Sequence, residues 1–368
     1  MSLKIAIILG TRPEIIKMSP VIKACQQKSL DFFVIHTGQH YDHELDGQIF
    51  EDLDLPKPRF NLQTGGQPYH LQISQMVRGI TEILQQEKTT VVIVQGDTSS
   101  VLTGALAASK LVGIKVVHHE AGLRSHDLTM LEEINRIIVD SISDLLFTPT
   151  QNSSDILIKE GKKTEDIYLV GNTIVDAVQQ NITKANSRVS ELEKLGISAK
   201  NYILASAHRA ENVGVRERLE GILEGLSLTG RELGLPVIFS LHPRTKAKIE
   251  EFKIKVPTNI KFINPVGFLD LLLLESNAAL VMTDSGGLQE EALILRVPCV
   301  TLRDNTERPE TVESGANMLC GTEPKNILAG AKEMFKKDLK SLKLDDILGD
   351  GQSGLKIIET IENLYGGQ

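Results

Sequence analysis

From residue 4 onward, short apolar runs alternate with longer stretches whose apolar residues recur at helical spacing. Lys4–Leu9, Phe32–His36, Val91–Gln95, Lys115–His118, Leu145–Thr148 and Ile167–Val170 have the unbroken apolar character of strands covered on both faces. Between them, His70–Gln86, Val101–Leu111 and the residues from about Leu131 carry the helical period. A charged stretch with one glycine, Lys184–Lys200, is the best candidate for a linker. The alternation then restarts with strands expected at Tyr202–Ser206, Pro236–Ser240, Ile260–Ile263, Ala278–Thr283 and Val297–Leu302. An amphipathic helix from about Ser353 to Leu364 closes the chain. Strand–helix alternation with apolar strand bodies predicts parallel sheets wound with helices on both faces. Two rounds of it predict an α/β protein of two doubly wound, Rossmann-like domains that face a central cleft, with ligands at the carboxyl ends of the strands.

Composition narrows this little. At 368 residues the chain has room for two domains of ordinary size. No apolar run approaches a membrane span, and the first is too short for a signal peptide. Three scattered cysteines (Cys25, Cys299, Cys320) argue against a disulfide framework or a zinc site and fit a reducing cytoplasm. A net charge of −8 disfavours a general nucleic-acid partner, so cations for an anionic ligand must be local.

The polar residues at strand tips carry the candidate chemistry. Thr283-Asp-Ser285-Gly286-Gly287 leads from a strand into a helix, a turn where free amides and the helix dipole favour an anion. Glu290 and Glu291 follow; either can serve as a first-turn acid, or one can accept hydrogen bonds from a ribose. Gly10-Thr11-Arg12-Pro13 repeats the strand–turn–helix arrangement and adds Arg12 and Lys17 as phosphate-binding cations. Asp97 and Glu120 stand at strand tips, the first also suited to a helix cap. Glu132 and Arg136 are spaced as a surface ion pair on a helix. His36, His40 and His43 mimic a metal cluster, but nothing else in the chain supports one, and no metal is expected.

In order along the chain, these motifs resemble the non-hydrolysing UDP-N-acetylglucosamine 2-epimerases. The matching segments are Gly10-Thr-Arg-Pro-Glu-x-x-Lys17, Gly96-Asp97-Thr98, Glu120-Ala-Gly-Leu-Arg124, Glu132-Glu-Ile-Asn-Arg136, His208-Arg209-x-Glu211-Asn212, His242-Pro243, Thr283–Glu291 and Thr306-Glu-Arg308-Pro-Glu310. The resemblance covers nearly the whole chain. It implies a GT-B fold, with an N-terminal domain over 1–171, a UDP-binding domain over 172–352, and a last helix (about 353–368) returning to the first. It further implies a cytoplasmic homodimer that acts on a UDP-sugar without cofactor or metal. Carried over by position, Asp97, Glu120, Glu132 and His208 are catalytic. Arg12, Lys17, Arg136, His242, Ser285, Gly286, Gly287, Glu291 and Arg308 bind substrate, with Glu291 on the ribose.

Two departures from the bacterial pattern bear on substrate and regulation. Tyr41-Asp42 follows Gly38-Gln39-His40 where Arg is usual, which puts an activating second UDP-GlcNAc site in doubt. Leu131 stands where Pro is usual, after a shorter loop. Both features also resemble epimerases of a UDP-2,3-diacetamido uronic acid, whereas Thr11, Glu14 and Arg308-Pro309 match the simple UDP-GlcNAc enzymes. The remaining alternatives are a GT-B glycosyltransferase, which would need an acceptor, a hydrolysing epimerase, and a nucleotide-sugar sensor, for which three tip acids would be superfluous.

Overall fold

The computed structural model describes residues 3–39, 43–343 and 347–367, with backbone only for 43–46. Strands β1 (Lys4–Leu9), β2 (Asp31–His36), β3 (Phe60–Asn61), β4 (Val91–Gln95), β5 (Lys115–His119), β6 (Leu145–Thr148) and β7 (Ile167–Leu169) form the first sheet. Strands β8 (Ile203–Ser206), β9 (Val237–Ser240), β10 (Ile260–Ile263), β11 (Leu280–Thr283), β12 (Cys299–Thr301) and β13 (Asn317–Leu319) form the second. Helices α1 (Arg12–Gln27), α2 (His43–Asp52), α3 (Tyr69–Gln86), α4 (Ser99–Ser109), α5 (Leu131–Ile142), α6 (Gln151–Lys159), α7 (Thr173–Asn186) and α8 (Ser190–Lys194) precede β8. After it come α9 (Ala210–Val213), α10 (Arg216–Leu233), α11 (Pro243–Glu251), α12 (Phe268–Asn277), α13 (Gly286–Ile294), α14 (Pro309–Glu313), α15 (Pro324–Met334) and α16 (Ser353–Tyr365).

The strand orders are β3-β2-β1-β4-β5-β6-β7 and β10-β9-β8-β11-β12-β13, with every pairing parallel. Each is a Rossmann-like sheet, with its topological switch between β1 and β4 in one and between β8 and β11 in the other. The switch matters because loops leaving neighbouring strands there diverge to opposite faces and open a crevice at the strands' carboxyl ends.

The chain divides into two compact units, residues 1–179 with 348–368 and residues 180–347. The stretch 184–200, expected as a linker, instead carries the end of α7 and all of α8, and the division falls within α7. In the first unit, Ala6, Ile8, Val92, Val94 and Val116 of the sheet pack on Ile80, Val101, Ala105 and Val139 from α3, α4 and α5. Helix α16 lies on α1, close enough that a Cβ at Gly354 would meet the Pro20 carbonyl carbon at 2.7 Å. In the second, Ile203, Phe239, Met282 and Val300 pack on Ile222, Leu223 and Leu226 of α10 and Ile327 of α15. Helix ends follow local chemistry. Thr11 and Glu14 form a capping box on α1, and Gly234 (φ 68°) closes α10 in the left-handed conformation.

Candidate active site

At the carboxyl edge of the first sheet, β4 ends on Gln95 and Gly96, whose φ of 85° turns the chain into Asp97 and the Thr98 cap of α4. The β5 tip is Glu120, a non-glycine residue held at φ 63°, a conformation that costs on the order of 1 kcal/mol and persists only where its surroundings impose it. Those surroundings are specific. The buried Glu120 carboxylate accepts from Lys17 Nζ of α1 on one oxygen and from Gln95 Nε2 on the other. Next to Glu120, burial pushes the His119 imidazole down to about 4, so it is neutral.

Asp97 is gripped by Arg136 of α5, whose Nε and Nη2 donate to Oδ2 at 2.9 and 2.6 Å, while Asn135 Nδ2 donates to the Asp97 carbonyl at 2.8 Å. Arg136 is buried and also donates to Glu133 at 2.6 Å. The expected Glu132–Arg136 surface pair is therefore replaced. Helix α5 turns Glu133 and Arg136 inward, and Glu132 lies exposed on its outer side. Against its burial, the Ser125 and His126 amides and Arg136 hold the Glu133 carboxyl below the usual range. Asp140 plays the same organising part for the loop after Glu120, contacting His118 Nδ1 at 2.6 Å, Arg124 Nη2 at 2.7 Å and the Gly122 amide at 3.2 Å.

The turn at the start of α1 differs from its expected role as an open anion site. Its amides are taken: Gly10 and Thr11 N–H both donate to Glu14 Oε2, at 2.7 and 2.8 Å, and Thr98 donates its hydroxyl to the other oxygen. Gly10 is there for packing, since a Cβ would meet Thr37 Oγ1 at 2.0 Å. Arg12 stays half-buried beside this turn with no ion pair among the described residues.

In the second unit the equivalent turn is open. Ser285 stands at the N-cap position of α13 without a side-chain capping hydrogen bond, and Gly286 and Gly287 begin its first turn. A Cβ on Gly286 would come no nearer than 3.9 Å to Arg209 Nη2 and 4.0 Å to Arg308 Cγ. Among the described residues no atom crowds that glycine, which leaves room for a ligand beside the first turn of the helix, between two arginines. Asp284, fully buried, accepts from the His208 and Arg209 amides and from Asn212 Nδ2, each at 3.0 Å, and so fixes the loop after β8. His208 lies with its ring 5.4 Å from that of His242, which caps α11 by accepting from the Arg244 amide. Burial holds the His208 ring below its usual range, against the pull of Asp284. The loop after β12 is tied to α13 by Thr306–Gln289 (2.6 Å) and Arg308–Glu290 (2.6 Å). Glu290 is thus a buried ion-pair partner and not a first-turn acid. Glu291 lies mostly buried.

The sequence motifs thus fall into two sets. Lys17, Gln95, Asp97, Glu120 and Arg136 come together in the first unit. His208, Arg209, His242, Ser285, Gly286 and Arg308 cluster around the α13 N-terminus in the second. Gln95, Arg209 and Asp284 had not been singled out, although each sits inside or beside a motif that had. Tyr41 and Asp42 lie outside the described residues, as does the His43 side chain. Among the described residues no group of acids, histidines and cysteines has metal-binding geometry.

Comparison with known proteins gives a consistent picture. The model of the UDP-N-acetylglucosamine 2-epimerase family matches residues 23–362. A UDP-N-acetylglucosamine 2-epimerase of Methanocaldococcus jannaschii is 47% identical over 98% of this chain and 99% of its own length. A UDP-2,3-diacetamido-2,3-dideoxy-D-glucuronate 2-epimerase of Pseudomonas aeruginosa is 40% identical over 98% of this chain and its own full length (100%). The crystal structure of the M. jannaschii protein in complex with UDP-GlcNAc and UDP superimposes with a TM-score of 0.89 at 46% identity, covering 99% of this chain and 100% of that one.

Proposed function

The chain belongs to the UDP-N-acetylglucosamine 2-epimerase family, and on that premise we propose that it interconverts UDP-N-acetylglucosamine and UDP-N-acetylmannosamine. The observation that carries most weight is the uncrowded, arginine-flanked glycine turn at the α13 N-terminus of the second unit, a geometry suited to a nucleoside diphosphate. The proton at C2 of the sugar lies beside no carbonyl and is not acidic. Departure of UDP makes it so. As the C1–O bond breaks, its electron pair leaves with UDP and C1 acquires oxocarbenium character. A carboxylate then takes the C2 proton, and the C–H electrons form the C1=C2 bond of 2-acetamidoglucal. UDP adds back at C1 while an acid protonates C2 from the other face.

This sequence assigns a part to each set of residues. Arg209, Arg308 and the α13 amides stabilise the negative charge gathering on the departing diphosphate, and Glu291 accepts from the ribose. Asp97, held by Arg136, and Glu120, held by Lys17 and Gln95, are the proton-transfer acids of the first unit, and Glu132, exposed on α5, is the third acid that the family pattern carries over. His208, neutral near pH 7, acts at the reacting centre. Two supports extend the reading. Cys25, Cys299 and Cys320 are all free and buried, in keeping with a reducing cytoplasm. Leu131, Ile134 and Ile138 make an exposed apolar row on α5 suited to a homodimer contact.

The deciding experiment is incubation with UDP-GlcNAc alone in D2O, followed by NMR. The expected result is UDP-ManNAc deuterated at C2 together with returned substrate labelled at the same carbon, and loss of both in folded Asp97→Asn. A second reading, epimerisation of the diacetamido uronic sugar, is favoured by the 40% identity to the Pseudomonas enzyme. Turnover of that sugar with no exchange into UDP-GlcNAc would establish it.

A further inference from the structure

The two arginines beside Gly286 come from different loops. Arg209 follows β8 and stands at the N-cap of α9, and Arg308, in the loop after β12, stands at the N-cap of α14. One buried side chain where those loops meet takes no part in the chemistry. Asn212 of α9 is wholly buried, and its carboxamide is hydrogen-bonded to three separate segments. Its Nδ2 donates to Asp284 Oδ2 at the β11 tip (3.0 Å) and to the Leu302 carbonyl at the end of β12 (2.9 Å). Its Oδ1 accepts from Arg218 Nε and Nη2 of α10, at 3.2 and 3.0 Å. The same Nη2 donates to Asp304, just past Leu302, at 2.9 Å. Exchanging the carboxamide oxygen and nitrogen would set N–H against N–H at Arg218 and oxygen against oxygen at Asp284, so the neighbours allow one orientation. An apolar side chain would fill the same space without the cost of desolvating an amide.

We propose that Asn212 is a positioning residue for the diphosphate, setting the spacing of Arg209 and Arg308 by joining the β8, β11 and β12 tips, with Arg218 holding its carboxamide in the required orientation. The inference rests on the proposed role of the α13 turn in binding UDP. The Asp284 oxygen that takes Asn212 Nδ2 also takes the Arg209 amide, each at 3.0 Å. On the other side, Leu302 is the root of the loop that carries Arg308, and its own amide donates to the Thr283 carbonyl at 2.8 Å. Beyond Leu302, Arg303 donates to Glu307 at 2.7 Å, and Arg308 is braced on Glu290 of α13 at 2.6 Å. Asn212 therefore ties the Arg209 side of the turn to the root of the Arg308 side. Two guanidinium groups share one diphosphate only when their separation matches it, and buried hydrogen bonds behind them are what fix that separation.

The test is calorimetric titration of UDP and of UMP, which lacks the terminal phosphate, onto the unsubstituted protein, Asn212→Leu, Arg218→Met and Arg218→Lys. The quantity read is the preference for UDP over UMP, because a general loosening of the unit weakens both ligands alike and leaves their ratio unchanged. Loss of one charge-assisted contact to the diphosphate predicts that Asn212→Leu lowers this preference roughly 10-fold. Arg218→Met strips Asn212 Oδ1 of its donors and lowers the preference roughly 3-fold. Arg218→Lys keeps a donor and stays within about 2-fold of the unsubstituted protein. Equal losses on the two ligands, or no loss in Asn212→Leu, overturn the positioning role. If Asn212→Leu does not fold, Arg218→Met decides, since that side chain is partly exposed, and an unchanged preference there overturns the role. Failure of the unsubstituted protein to bind UDP removes the nucleotide reading and this inference with it. UDP binding with an unchanged preference in the variants removes this inference alone.

Discussion

Glu14 joins two loops through one carboxyl group. It accepts the amides of Gly10 and Thr11 and the hydroxyl of Thr98, 84 residues away, so the β1 and β4 tips are tied at the switch of the first sheet. Burial, only partly offset by those hydrogen bonds, pushes its carboxyl up to about 7. The native state therefore keeps a proton that the unfolded chain gives up in the ordinary carboxylate range. The associated stability is complete at acid pH and is lost as pH rises through about 7. Glu14→Gln is expected to flatten this slope, removing a pH-dependent difference on the order of 3 kcal/mol. Urea denaturation of both proteins across that window measures it, and parallel pH curves would refute it. Residue identity was legible in part. The sequence marked Arg12, Lys17, Asp97, Glu120 and Gly286 by their place at strand tips. Thr11-x-x-Glu14 has the spacing of a capping box, but the sequence carried no sign that Glu14 also reaches Thr98 or that Gly286 leaves its turn open, because both depend on which loops come to lie alongside.

At the scale of elements, the loop between β8 and α9 depends on Asp284 more than on its own residues. Asp284 leaves β11, crosses to the adjacent strand's loop and accepts three hydrogen bonds there. Asp284→Ala strands buried donors, and a cost on the order of 3 kcal/mol follows, with loss of UDP affinity as His208 and Arg209 move. Asp284→Asn, retaining one acceptor oxygen, is expected to recover part of both. Denaturation and titration of the two variants test this, and normal UDP binding by folded Asp284→Ala would show that the loop holds itself. The strands were readable because the body of a parallel strand covered on both faces must be apolar, as it is in β4 before Gln95 and in β11 before Thr283. The 184–200 segment was misjudged as a linker because charged composition marks exposure equally well in a surface helix.

For the molecule as a whole, the apolar row on α5 is the element that neither core claims. Leu131, Ile134 and Ile138 remain exposed although α5 buries Glu133, Asn135 and Arg136 on its inner face, an inversion that suits a helix with a second apolar partner. Ile134→Lys with Ile138→Lys is expected to convert a dimer into a folded monomer in sedimentation. An unaltered dimer would place the contact elsewhere, and a monomeric unsubstituted protein would refute the homodimer. The sequence by itself determined the two parallel sheets and which polar residues stand at the strand tips, since strand burial and turn chemistry are local and leave a period or a motif. Only the tertiary structure decided how the buried charges are matched. Glu14 on the β1 and β4 tips, Arg136 between Asp97 and Glu133, and Arg308 on Glu290 are pairings set by which helices and loops come to lie side by side. A charge's partner in space leaves no trace in its neighbours along the chain.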